Sequence, residues 1–183
     1  MKNLLLLVPA NKMKLFSKPK KGFTLIELLL YIVLAGTVLL TVSIFLFFLL
    51  QMRIKNQTIA EVEEQGVQII QIISQKIRNA QKINSPPIGQ SSPQLSLDMP
   101  QADQSPTVID LIGKRIRIRE GQNQPQFLSS SRIEVSNLQF FNLSKEDSPG
   151  TIRIQFTLTH KNPEMRIEFE YSKTFISSAS LRK

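Results

Sequence analysis

Apolar and polar positions divide the chain into stretches of different period. From Phe23 to Leu50 the pattern has no polar face: 28 residues contain one charge, Glu27, and no proline. As a helix this run would extend about 42 Å at 1.5 Å per residue, against roughly 30 Å for the hydrocarbon core of a bilayer. A chain of 183 residues can hardly enclose a helix of this length that is apolar all round. A secretory signal is also a poor match, because its apolar core runs only about 7–15 residues and ends at small residues. Here the run closes on Leu49-Leu50-Gln51-Met52. The segment therefore predicts a membrane-spanning helix.

Beyond Leu50 the period becomes helical and one-sided. Ile54, Thr58, Val62, Gly66, Ile69, Ile70, Ile73, Ile77 and Ala80 recur at three- and four-residue spacings. Arg53, Lys55, Glu61, Glu63, Glu64, Gln68, Gln75 and Lys76 fill the other faces. This pattern predicts an amphipathic continuation of the same helix with one stripe to bury, ending near Asn84 before Ser85-Pro86-Pro87.

Residues 85–107 then read as a proline-rich loop, with a short strand around Gln94–Leu97. Alternation follows in Thr107–Ile112, Lys114–Glu120, Arg132–Leu143, Thr151–His160 and Arg166–Ile176, with turns at Ser148-Pro149-Gly150 and Lys161-Asn162-Pro163. The parity of Phe140-Phe141 is ambiguous between core and surface. An apolar helix stripe and an apolar sheet face need each other. The expected fold is α+β: a long N-terminal membrane-spanning helix whose amphipathic C-terminal half packs on an antiparallel sheet. The expected divisions are a leader at 1–22, a span at 23–50, an amphipathic helix at 51–84 and a β-rich extracytoplasmic head at 85–183.

The basic charge is concentrated at the N-terminus. The formal net charge is +9, but residues 1–22 hold Lys2, Lys12, Lys14, Lys18, Lys20 and Lys21 and none of the 14 acidic residues. A short basic tail before an apolar span orients a membrane helix with its lysines on the cytoplasmic side. The basic pI therefore carries little information about nucleic acid. Met1 and Met13 both suit a start, the second giving a shorter leader. With one histidine, His160, and no cysteine, the chain offers little for a metal site and nothing for disulfides. Glu146-Asp147, Asp98 and Asp103 lack the spacing of a calcium loop, so no metal or other cofactor is expected. There is no nucleophile–base pair and no phosphate-binding glycine loop, so an enzyme is not expected.

The segment Lys20-Lys21-Gly22-Phe23-Thr24-Leu25-Ile26-Glu27-Leu28-Leu29 resembles the processing site of type IV prepilins and of the pseudopilins of type II secretion and DNA-uptake systems. That resemblance implies cleavage after Gly22 by a membrane prepilin peptidase and N-methylation of the new terminus on Phe23. It implies that Glu27 docks the subunit on a neighbour's N-terminal ammonium in a filament. The implied partners are the membrane, the peptidase, other pilin or pseudopilin subunits and an inner-membrane assembly platform. The implied location is the cytoplasmic membrane, N-terminus inside and head outside, and then an extracytoplasmic filament.

Each element has a physical reason. Glycine at the cut leaves no Cβ to obstruct a narrow cleft. A carboxylate within an apolar span costs about 2.5–3.5 kcal/mol on insertion scales and normally has a partner. Alone, Glu27 would equally suit an ordinary anchor in which it snorkels to the headgroups; Gly22, Phe23 and the lysines favour the prepilin reading.

Two departures from the family stand out: no proline midway along the span and no disulfide-closed C-terminal loop. The chain thus looks more like a minor pilin or pseudopilin than a main filament subunit. The alternative is an adhesive or DNA- or surface-binding module on the same anchor, using Arg115, Arg117 and Arg119 on one strand face. A solvated face with arginines guarding an edge is the plainer account of that stripe, since no aromatic residues interleave to stack bases.

Overall fold

A computed structural model of the chain describes residues 22–146 and 149–182. The expected leader up to Lys21, and Asp147 and Ser148 of the expected acidic pair and turn, lie outside them. Among the described residues the elements are one helix, α1 (Leu25–Asn79), nine strands and two short 3₁₀ turns. The chain divides into two compact units, one ending at Phe45 and the other beginning at Leu46.

The first unit holds the N-terminal part of α1. No residue of the helix's most apolar 18-residue window is buried. A helix apolar on every side with no protein around it is suited to lipid. Its hydroxyls follow the same logic: Thr37 donates to Leu34 O (2.8 Å), Thr41 to Val38 O (2.8 Å) and Ser43 to Leu39 O (2.8 Å). Each of these three hydroxyls is satisfied within its own helix, as an environment without water requires.

The second unit joins the rest of α1 to the strands. Thr58, Val62, Gly66, Ile69, Ile73 and Ile77 of the expected stripe are buried, Ser74 joins them, and Ile54 and Ile70 are half-buried. At Gly66 the helix lies close against the sheet: a Cβ there would lie 2.1 Å from the Phe175 ring. The helix ends at Asn79, five residues before the expected end. Lys82–Ser85 instead forms strand β1, with Ile83 opposite Leu97, and Gln81 N–H donates to Asp98 O (2.8 Å). Pro86 sets an outer limit for the helix, but pairing with a neighbouring strand takes the residues before it.

The strands form two antiparallel sheets rather than one. The first has the order β1-β3-β4-β5-β6, with β3 at Leu95–Asp98, β4 at Thr107–Ile112, β5 at Arg115–Glu120 and β6 at Gln126–Phe127. The second has the order β2-β7-β8-β9, with β2 at Ser91–Ser92, β7 at Ile133–Asn142, β8 at Thr151–His160 and β9 at Ser172–Ser180. A backbone bond from Val135 N–H to Lys114 O (2.8 Å) bridges them. Both sheets supply one core with α1, including Leu97, Ile109, Ile116, Phe140, Ile154 and Phe156.

Two details resolve ambiguities of the pattern. In β7 the register shifts between Ser136 and Gln139, with Asn137 at φ 53°. This bulge switches the buried parity from Ile133 and Val135 to Leu138, Phe140 and Asn142, so Phe140 is core and Phe141 is half-buried under Arg153. In the last segment, Ile167–Phe169 is a 3₁₀ turn and the strand begins only at Ser172, although the alternation predicts a strand from Arg166. The carbonyls of Ile167 and Glu170 are taken by Lys55 Nζ of α1, so they do not join a ladder.

Candidate functional site: the helix N-terminus

Thr24 starts the helix. Its hydroxyl accepts from Glu27 N–H (3.3 Å) and its carbonyl from Leu28 N–H (3.1 Å), which makes it the N-cap. Thr24-Leu25-Ile26-Glu27 has capping-box spacing, a signal the pattern reading passed over. Only half of that box forms. The Glu27 carboxylate instead accepts from Tyr31 Oη at 3.5 Å, the long end of a hydrogen bond. Tyr31 in turn meets the Phe23 ring edge to face, with centroids 5.9 Å apart.

Phe23, Glu27 and Tyr31 thus form one cluster on the first two turns, and Tyr31 is the member that sequence reasoning missed. Its i+4 spacing from Glu27 was the available clue. Glu27 is in the first turn, where the helix dipole favours an anion by about 0.3–1 kcal/mol. That is well short of the insertion cost of a carboxylate, and among the described residues Glu27 has no ion-pair partner.

Gly22 is exposed, and a Cβ added to it would meet nothing within 4 Å among the described residues. Nothing among the described residues requires glycine there.

The arginine stripe divides once its partners are seen. Arg117 forms a two-point pair with Asp110 across the β4–β5 register (2.9 and 2.6 Å), and that hydrogen bond raises its pKa. Arg115 donates to Ser129 O (2.8 Å) and lies 4.0 Å above the Phe127 ring. Arg119 is exposed. Lys114 alongside pairs with Glu134 at 2.9 Å.

A second polar cluster, also unremarked in the pattern, lies where α1 meets β9. Lys173 Nζ (2.7 Å) and Tyr171 Oη (3.2 Å) both donate to Glu63 Oε1. The Lys173 bond, then the Tyr171 bond, hold the Glu63 carboxyl below its usual range. Burial, then the hydrogen bond to Glu63, push the Tyr171 phenol up.

Residues 17–43 match the family model described as "Prokaryotic N-terminal methylation motif". No curated protein and no solved structure matches the chain. The matched stretch includes Gly22, Phe23, Glu27 and Tyr31 and most of the apolar run, and the α+β architecture behind it is consistent with a pilin fold. The chain thus carries the N-terminal methylation motif of prepilin-type proteins, on a helix long and apolar enough to cross a membrane.

Proposed function

We propose that the chain is a non-catalytic structural subunit, a minor pilin or pseudopilin, of a type IV pilus, type II secretion or DNA-uptake filament. A prepilin peptidase cuts it after Gly22, and the new amino group on Phe23 is methylated. The mature subunit waits in the cytoplasmic membrane with its head outside. It enters the filament through an assembly platform and other subunits, when Glu27 meets the N-terminal ammonium of a neighbour.

The observation that carries this reading is the state of Glu27. It is the one charge of a 28-residue apolar run, and among the described residues the hydrogen bond its carboxylate accepts is from a phenol, at 3.5 Å. Opposite charges about 4 Å apart at an effective dielectric near 20 attract by roughly 4 kcal/mol before desolvation. That is comparable with the roughly 2.5–3.5 kcal/mol cost of placing a carboxylate in the span. The cost is therefore offset only when subunits are in register, which favours ordered docking over random clustering.

Arg115 and Arg117 already have partners within the head, which favours the assembly reading over the anionic-ligand module. The test is Glu27→Ala. The variant is expected to insert in the membrane at least as well as wild type and to be absent from purified filaments. Undiminished incorporation would refute the docking role.

A further inference from the structure

The connection between β8 and β9 is built to present apolar side chains outward. Asn162 closes it: its side-chain amide donates to Arg166 O (2.7 Å), its side-chain oxygen accepts from Arg166 N–H (2.8 Å), and its carbonyl accepts from Met165 N–H (3.2 Å). Met165 sits in this turn at φ 51°, a left-handed conformation that bulky side chains rarely adopt. The chain accepts this conformation, yet it leaves Met165 90% exposed and Ile167 79% exposed.

The loop is also fixed in place. Lys55 Nζ donates to the carbonyls of Ile167 (3.1 Å) and Glu170, pinning the loop to α1 shortly after the apolar run ends at Leu50. Between helix and loop lies a groove of about 470 Å³ whose apolar walls are Phe48 and Met52 on one side and Met165 and Ile167 on the other. Phe48 and Met52 bracket Leu50 in sequence and are themselves exposed. The groove therefore lies at the C-terminal end of the apolar run, whose length of about 42 Å reaches past a core of about 30 Å into the headgroup region.

The charges of the loop and of the lysine that holds it balance: Lys55, Lys161 and Arg166 stand against Glu164, Glu168 and Glu170. Charge provides no strong reason for an anionic partner. The continuity of the exposed apolar surface with the end of the anchor points to lipid. We infer that the Met165–Ile167 apex is a second membrane contact, seating both side chains in the interface of the bilayer that α1 crosses, beside the exit of the helix. Its ligand is a phospholipid surface, zwitterionic lipid included, engaged through apolar burial. The inference rests on the membrane anchor and not on filament assembly.

The chain has no cysteine, so single-cysteine variants can be labelled cleanly. Full-length M165C, I167C, I44C and S178C would each carry an environment-sensitive fluorophore in phosphatidylcholine vesicles at low protein-to-lipid ratio, with quenching by spin-labelled lipid. Ile44 reports the span, and the exposed Ser178 on β9 reports a water-facing site.

The expected result is strong quenching at positions 44, 165 and 167, several-fold above that at 178. Quenching at 44 with positions 165 and 167 no different from 178 would overturn the loop contact while leaving the anchor intact. No quenching at 44 would overturn the anchor itself. A blue-shifted but unquenched signal at 165 that disappears on further dilution with lipid would assign the surface to a second copy of the chain and overturn the lipid contact.

Discussion

The contact between Gly66 and Phe175 allows a prediction whose sign depends on a single ring. Gly66 lies in the buried stripe of α1, and a Cβ there would fall 2.1–2.4 Å from three atoms of the Phe175 ring. That ring is 8% exposed and stacks on Phe156 with centroids 5.5 Å apart, so it cannot withdraw without disturbing the core. Helix propensity alone would make Gly66→Ala stabilising by about 0.8–1 kcal/mol. Overpacking typically costs about 1–3 kcal/mol, so the net effect should be destabilisation of roughly 1 kcal/mol.

Removing the ring reverses the balance. In a Phe175→Ala background, itself destabilised by about 3–5 kcal/mol, the second change Gly66→Ala should recover close to the full propensity gain. A double-mutant cycle on the detergent-solubilised chain, unfolded in urea and followed by far-ultraviolet circular dichroism, would read a coupling of about 1–3 kcal/mol. If Gly66→Ala has the same effect in both backgrounds, the close approach of helix and sheet at Gly66 is not what sets its identity.

Gly22→Trp should leave the fold unchanged, because nothing described lies within 4 Å of a Cβ there, but block processing. Immunoblotting should then show only the longer precursor in the membrane, and normal cleavage would contradict the proposed role of Gly22. Acid should weaken the head through Glu63. Its carboxyl is held below the usual range when folded, so its contribution to stability is present above the unfolded pKa and is lost as pH falls through the folded one. Urea titrations across the acid range should show wild type losing this advantage over Glu63→Gln as pH drops, and parallel profiles would remove Glu63 from the account.

Much of this architecture was legible because the buried surfaces are continuous and periodic. The stripe from Thr58 to Ile77 follows helical spacing, and β4 and β8 begin and end where the alternation does. What the pattern missed was decided by contacts between distant residues. Lys82–Ser85 reads as helix until β3 pairs with it, and Arg166–Tyr171 reads as strand until Lys55 takes its carbonyls. The β7 bulge at Asn137 changes parity in mid-strand, which strict alternation cannot express. The division into two sheets depends on which edges pair, and alternation is silent on that.

At the N-terminus, Gly22, Phe23 and Glu27 stood out because they are local in sequence. Tyr31 did not, because an aromatic residue in an apolar helix is unremarkable until its phenol is seen beside the carboxylate. The arginine stripe was visible as a pattern, but the pairing of Arg117 with Asp110 needed the register of two strands.

The most direct measurement is the mass of the N-terminal peptide of the protein isolated from the membranes of its native host. The account predicts a chain that begins at Phe23 with a methyl group on its amine. A chain that still carries Lys20-Lys21-Gly22 throughout the population would contradict it.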